Sequence, residues 1–302
     1  MTTSSHSTSR SDHHPTRGAA CDPPRRWDAS LELGFRRDAR RTTLALRRHK
    51  GPLGVQRPFY PEPDGTCHVY LLHPPGGVAG GDALVIDAHL GAGAQALLTT
   101  PAAGKLYRCD TQAGPSHQTQ RFDVADGACL EWLPQETIVF DAARSQLATR
   151  VELAQHAQFL GWEVLCLGRP AAGERFEHGR VRQAFEVYRE GRPMFVERGL
   201  YEGGAPVLEA PWGLSNQPIM GTMVCVTPAV EGLVEQLRDA LPPNGKGTAQ
   251  GHFSVSQLRE VLVCRYLGAR AESALQGFRM AWGIVRTAVY GRQPREPRIW
   301  LT

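Results

Sequence analysis

Lysine is nearly absent from this chain of 302 residues: Lys50, Lys105 and Lys246 stand beside 31 arginines in a total of 34 basic side chains. Set against 30 acids, they leave a formal charge of +4. The arginines fall in ones and twos (Arg25, Arg26; Arg36, Arg37; Arg40, Arg41; Arg47, Arg48), with no basic tail and no interleaved aromatic platform, so the composition argues against a DNA or RNA binder. Long apolar runs are missing too. No stretch nears the roughly 18 residues that a membrane span requires, and the N-terminus has no apolar targeting core, which makes cytoplasmic residence the expectation. Seven cysteines (Cys21, Cys67, Cys109, Cys129, Cys166, Cys225 and Cys264) are widely spaced, odd in number and without a CxxC pair. That pattern excludes a regular disulfide framework and predicts reduced, mostly buried thiols.

The catalytic signatures are equally sparse. Neither GxGxxG nor GxxxxGK[ST] occurs, and Ala103-Gly104-Lys105 and Asn244-Gly245-Lys246-Gly247-Thr248 echo only part of a nucleotide loop. GxSxG is missing, and Ser145 and Ser215 have no readable link to a histidine and an acid. His68, His73, His89, His117, His156, His178 and His252 are scattered, so a tight site for a late first-row ion is not expected. No catalytic residue is assigned.

What the chain does have is strand patterning. Residues 1–25 are Ser, Thr, His, Arg and Pro with almost no large apolar side chain, and read as a disordered tail whose His6, His13 and His14 are solvated. Residues 26–302 read as one β-rich domain. Period-two runs begin at Leu31 and recur at Val69–Leu72, Leu84–Leu90, Ala94–Thr100, His117–Val124, Ala128–Leu133, Gln146–Leu153, Phe159–Leu167, Val181–Tyr188 and Pro193–Arg198, between turn residues. Many short strands without intervening helices exclude a βαβ sheet and suit a sandwich, barrel or coiled sheet. Further on the period changes, predicting helices over 228–241 and 271–290.

Three segments stand out within the β half: HPPGGVAGGD (His73–Asp82), TTPAAGKLYR (Thr99–Arg108) and WLPQETIVFD (Trp132–Asp141). The first reads as a tight turn closed by Asp82 rather than a phosphate loop, because a strand follows it instead of a helix. Acids arrive singly at strand ends. Isolated carboxylates with retained waters bind a divalent ion weakly and release it as readily as they take it up.

Together with LGRPAAGERFEHG (Leu167–Gly179), VYREGRP (Val187–Pro193), RYLGARAESALQGFRMAWGIVR (Arg265–Arg286) and PRIWLT (Pro297–Thr302), these motifs resemble, in order, the urease accessory protein UreD (UreH) family. The resemblance runs from about Leu31 to the end. It implies a mainly β scaffold of β-helical or coiled-sheet topology with two α-helices towards the C-terminus, and no catalysis. It implies UreF as a partner, UreG through UreF, and the urease structural subunits. No tightly bound cofactor is expected, only Ni2+ in transit towards the urease active site. The positions that best match the family's acidic path are Asp82, Glu136, Asp141 and Glu174, followed by Glu163 and Glu197. Ala142-Ala143 stand where the family commonly has a Gly-Ala pair. Two rival readings remain at this stage: a β-helical carbohydrate-active enzyme using Glu136 and Asp141, and a pure protein-docking module without metal transfer.

Overall fold

The computed structural model describes residues 26–110, 112–242 and 251–301. The tail 1–25 and most of the Pro- and Gly-rich loop that carries Asn244–Thr248 lie outside the described residues. The strands are β1 (Asp28–Arg37), β2 (Thr42–Lys50), β3 (Gly54–Val55), β4 (Cys67–Leu72), β5 (Ala83–Leu90), β6 (Gln95–Thr99), β7 (Gly104–Leu106), β8 (Ser116–Val124), β9 (Cys129–Leu133), β10 (Thr137–Val139), β11 (Arg144–Leu153), β12 (Gln158–Leu167), β13 (Arg180–Arg189), β14 (Arg192–Glu202), β15 (Ile219–Val226), β16 (His252–Leu258) and β17 (Val261–Gly268). A single turn of helix, α1 (Pro206–Glu209), precedes α2 (Leu233–Ala240) and α3 (Ala271–Tyr290).

One sheet has the order β14-β13-β11-β8-β5-β1-β2, and the other runs β16-β17-β15-β12-β9-β6-β4-β3, with β10 joining β12 to β7. From β4 to β13 the chain keeps crossing between them, so β5, β8, β11 and β13 lie parallel in the first sheet, while β4, β6, β9 and β12 lie parallel in the second. The first sheet buries one face, as the alternation of β1 shows: Ala29, Leu31, Leu33 and Phe35 are buried and the residues between them are more open. The second is covered on both sides. Every residue of β9 is buried, because one face meets the first sheet and the other lies under α3. The outer core layer packs Trp162, Met223, Leu237, Phe278 and Trp282 together.

The helix expected over 271–290 is α3, with Leu275, Phe278, Trp282 and Val285 buried along one side and Gly291 in the left-handed conformation (φ +63°) closing it. The helix expected over 228–241 starts later. Gly232 takes φ +72° and cannot sit inside a helical turn, so α2 begins at Leu233, and Val230 lies outside it and is exposed. No helix among the described residues is long and apolar enough to cross a membrane.

A salt-bridged cluster ties α3 to the sheet beneath it. Arg286, fully buried, donates to both Glu131 of β9 (3.1 Å) and Glu62 (2.6 Å). Trp282 Nε1 donates to Glu131 Oε2 at 2.5 Å, and His68 Nε2 lies 2.6 Å from Glu62 Oε1. Burial alone would raise the Glu62 carboxyl, but the His68 hydrogen bond and the Arg286 charge hold it below its ordinary value.

Candidate functional site

The inward faces of the first sheet change character along their length. Towards the starts of β8, β11 and β13 they carry Ser116, Gln118 and Gln120, Ser145 and Thr149, and Gln183; towards the ends they carry Phe122 and Val124, Val151 and Leu153, and Phe185 and Val187. The apolar ends close against the second sheet. The polar ends leave a cavity of about 180 Å³ between the sheets. Its walls draw on all three segments singled out in the sequence: His73, Gly76 and Gly77 from the first, Thr100–Lys105 from the second, and Pro134, Gln135 and Thr137 from the third. They meet because β7 and β10 pair in parallel register, Gly104 against Thr137 and Leu106 against Val139, and Val78 bridges to Leu106.

Glu163 of β12 is the one carboxylate in that wall. It and Gln183 also line a second cavity, of about 420 Å³, bounded by Glu197, Tyr201, Thr222, Phe253 and Arg265. The two spaces therefore share Glu163 and Gln183. Gln183 Nε2 donates to Glu163 Oε2 at 2.8 Å, and Thr149 Oγ1 makes a short contact with Glu163 Oε1. Burial pushes the Glu163 carboxyl up to about 7, outweighing these hydrogen bonds, with a further push from the Glu197 charge. Thr149 Oγ1 has one proton and lies against two acceptors, Glu163 Oε1 and Gln120 Oε1 (3.1 Å). Glu197 is held differently, accepting from Thr222 Oγ1 (2.8 Å) and from both Arg265 nitrogens (3.1 and 2.7 Å).

The other acids stand elsewhere. Asp82 is buried and accepts the amides of Trp27 (2.9 Å) and Ala79 (3.0 Å), which makes it the turn acid of its glycine segment, with Gly76 and Gly81 at φ +74° and +85°. Asp141 accepts the amides of Glu177 (2.9 Å) and His178 (2.7 Å) and faces His178 Nδ1 at 3.1 Å. Burial opposes ionisation there, but the His178 and Glu177 bonds win and lower its pKa. Glu174 accepts the Asp141 amide at 2.8 Å and pairs with Arg169, and the Arg169 bond is the chief reason that its pKa is lowered. Asp141 and Glu174 thus come together as a clasp on the 169–179 loop. Glu136 sits at the far end of β10 from Asp141, in the segment that rims the first cavity, and its carbonyl accepts the Gly104 amide at 2.9 Å.

No group of three or more His, Cys, Asp or Glu side chains is placed to hold a metal among the described residues. The six described cysteines are all buried and free; burial pushes Cys67 up to about 11 and Cys166, Cys225 and Cys264 up to about 12. Neither serine has a nucleophile's surroundings. Ser145 Oγ lies 2.8 Å from Ser116 Oγ, and Ser215 Oγ donates to the Pro211 carbonyl. Gly104 and Lys105 belong to β7, so they form strand rather than a phosphate cradle.

The chain is similar to the urease accessory protein UreD 2 of Brucella anthropi, 49% identical over 276 residues, covering 91% of this chain and 98% of that protein. It is likewise similar to the urease accessory proteins UreD of Dechloromonas aromatica, 46% identical over 282 residues (91% and 95% of the two chains), and of Chromohalobacter salexigens, 45% identical over 294 residues (94% and 92%). A family model described as UreD urease accessory protein matches residues 28–301. These matches span every strand and helix that walls the two cavities, and the chain belongs to the UreD family of urease accessory proteins.

Proposed function

We propose that this protein serves urease maturation as a non-catalytic scaffold, joining UreF, and UreG through it, to apo-urease and passing nickel ions through its β body towards the urease active site. Family membership supports the maturation role. The observation that carries the conduit is the pair of cavities sharing Glu163 and Gln183 between the sheets. A lone carboxylate with amide and hydroxyl neighbours suits an ion that must leave again, since it offers charge without the imidazoles or thiolates that would trap it.

In this reading Glu163 is the narrow point, Glu197 flanks the larger cavity, and Glu136 stands at the rim of the smaller one. Asp82, Asp141 and Glu174 border the path by fixing the turns and loops around it. Nickel is cargo here, and no resident cofactor is required. Residence in the cytoplasm, beside urease, is part of the proposal.

The test is Glu163→Gln, produced together with the urease subunits and the other accessory proteins. The expected result is urease recovered in normal amounts, still associated with the accessory complex, but with nickel content and activity lowered several-fold. Fully nickel-loaded urease from that variant overturns the conduit and leaves a docking role alone.

A further inference from the structure

Residues 36–50, from the end of β1 through the turn and β2, carry more net positive charge than the entire protein. They hold seven Lys or Arg side chains against the single carboxylate of Asp38, a net +6, whereas the whole chain is +4 and all the other residues therefore sum to −2. Asp38 itself is occupied, accepting the amides of Arg40 (2.9 Å) and Arg41 (2.8 Å) in the turn. Arg37 donates to the Asp64 carbonyl at 3.0 Å, and Arg41 lies over the Tyr60 ring at 4.5 Å. Arg36, Arg40, Arg47 and Lys50 are exposed or nearly so and have no ion-pair partner among the described residues; Arg48 reaches only Glu32, at 3.5 Å on the open surface.

β2 is also the end of its sheet. Among the described residues it pairs only with β1, and although the Thr42 amide is taken by the Gly65 carbonyl (2.9 Å), no described strand lies on the outer side of Leu46–Lys50. A free edge offers unpaired N–H and C=O groups, and basic side chains along it are a common guard against self-pairing. The opposite edge of the same sheet shows what a guarded edge looks like in this molecule. On β13 and β14, Arg198 is paired with Glu186 (2.7 Å) and Arg180 with Glu202 (2.7 Å). Of the β2 cations, Arg48 alone meets an acid among the described residues, Glu32 at 3.5 Å.

We propose that the Leu46–Lys50 edge receives an extended acidic segment of a partner protein as an added strand, its carboxylates meeting Arg47, Arg48 and Lys50. Strand addition supplies main-chain hydrogen bonds, and the alternating side chains supply selection. A nucleic acid fits less well, because the hairpin presents no aromatic side chain for bases to stack on. A lipid surface fits less well because the exposed turn, Asp38–Arg41, has no apolar wedge. The proposal is independent of the nickel path, since β2 contributes nothing to either cavity wall.

The test uses the full-length protein and fluorescence anisotropy with a labelled peptide of alternating Glu and Val. Three further probes are the same peptide N-methylated at alternate residues, a single-stranded DNA of equal charge, and vesicles containing phosphatidylserine. The acidic peptide should bind in low salt, the N-methylated form at least about ten-fold more weakly, and the Arg47→Glu, Arg48→Glu, Lys50→Glu triple variant at least about ten-fold more weakly with its melting temperature unchanged. Equal binding of the N-methylated peptide overturns strand addition. Tighter binding of the DNA or the vesicles overturns a protein partner, and no binding at all leaves the charges as an edge guard and overturns the proposal.

Discussion

Ala142 has φ +62°, in the region where a Cβ collides with the backbone. The turn cannot relax, because the Ala142 amide donates to the His178 carbonyl (3.1 Å) and its carbonyl accepts from Cys109 (3.0 Å). Ala142→Gly is therefore expected to stabilise the protein by roughly 0.5–1 kcal/mol, the relief of left-handed strain exceeding the added chain entropy, read as a higher midpoint in urea. Glu163 makes the opposite kind of statement. Its carboxyl is raised from 4.5 to about 7, so the folded protein binds a proton that the unfolded chain has already lost. Stability is highest below pH 4.5 as far as this group is concerned, and falls as pH rises through the window from 4.5 to about 7. Glu163→Gln should remove that slope and leave the variant more stable at pH 8 by about 1–3 kcal/mol, measured by denaturation across pH. A protein more stable yet poorer at activating urease marks a carboxylate kept for use rather than for folding. The resemblance placed Glu163 behind Asp82, Glu136, Asp141 and Glu174. What singles it out is the inward turn of Thr149 and Gln183 from two strands of the opposite sheet, a convergence that no linear spacing encodes.

At the scale of elements, α3 is held by charge as well as by its apolar stripe. Removing the Arg286 guanidinium strands Glu62 and Glu131 in the interior, so Arg286→Met is expected to cost roughly 3–5 kcal/mol. The pH dependence should also invert. In the native protein Glu62 is held low and contributes stability above its ordinary value of 4.5 that is lost as pH falls through its folded value. In the variant the Glu62 carboxyl loses the Arg286 charge that holds it low, and melting temperatures should improve on acidification from pH 8 to 5. A variant that melts like the native protein at every pH would show the cluster to be ornamental. The strands of the first half were legible because alternation and turn residues coincide, as at Leu84–Leu90 between the Gly-rich turn and Gly91. β15 was missed because Ile219–Val226 is buried on both faces and has no period-two signal. The β16–β17 hairpin was missed because its turn lacks glycine, Arg259 taking φ +51° in its place. α3 was read to its last residue, while α2 was read too long because its apolar spacing continues through Gly232.

The whole molecule leaves large apolar side chains in solvent at several places. Trp212 is 77% exposed and Leu258 is 75% exposed, the latter at the β16–β17 turn. Each offers an apolar contact to a second copy or to a partner. The protein alone is expected to associate as concentration rises, and Trp212→Ser with Leu258→Ser should reduce that association without lowering the melting temperature, as measured by light scattering. A native protein that stays monomeric at high concentration contradicts this. The same interleaved wiring that brings the three motifs to one cavity also governs how the protein comes into being. Because the thread passes from one layer to the other at nearly every strand between β4 and β13, neither layer can be finished while the other is still incomplete. The second layer gains its edge only with β16 and β17, and its outer cover only with α3, all made late in synthesis. Folding dominated by such distant pairings is slow, and half-built layers present bare edges to their neighbours on other ribosomes. A chain emerging from the ribosome therefore stays vulnerable until α3 has been made, and its yield in the cell should depend on chaperone supply as much as on the stability of the finished fold.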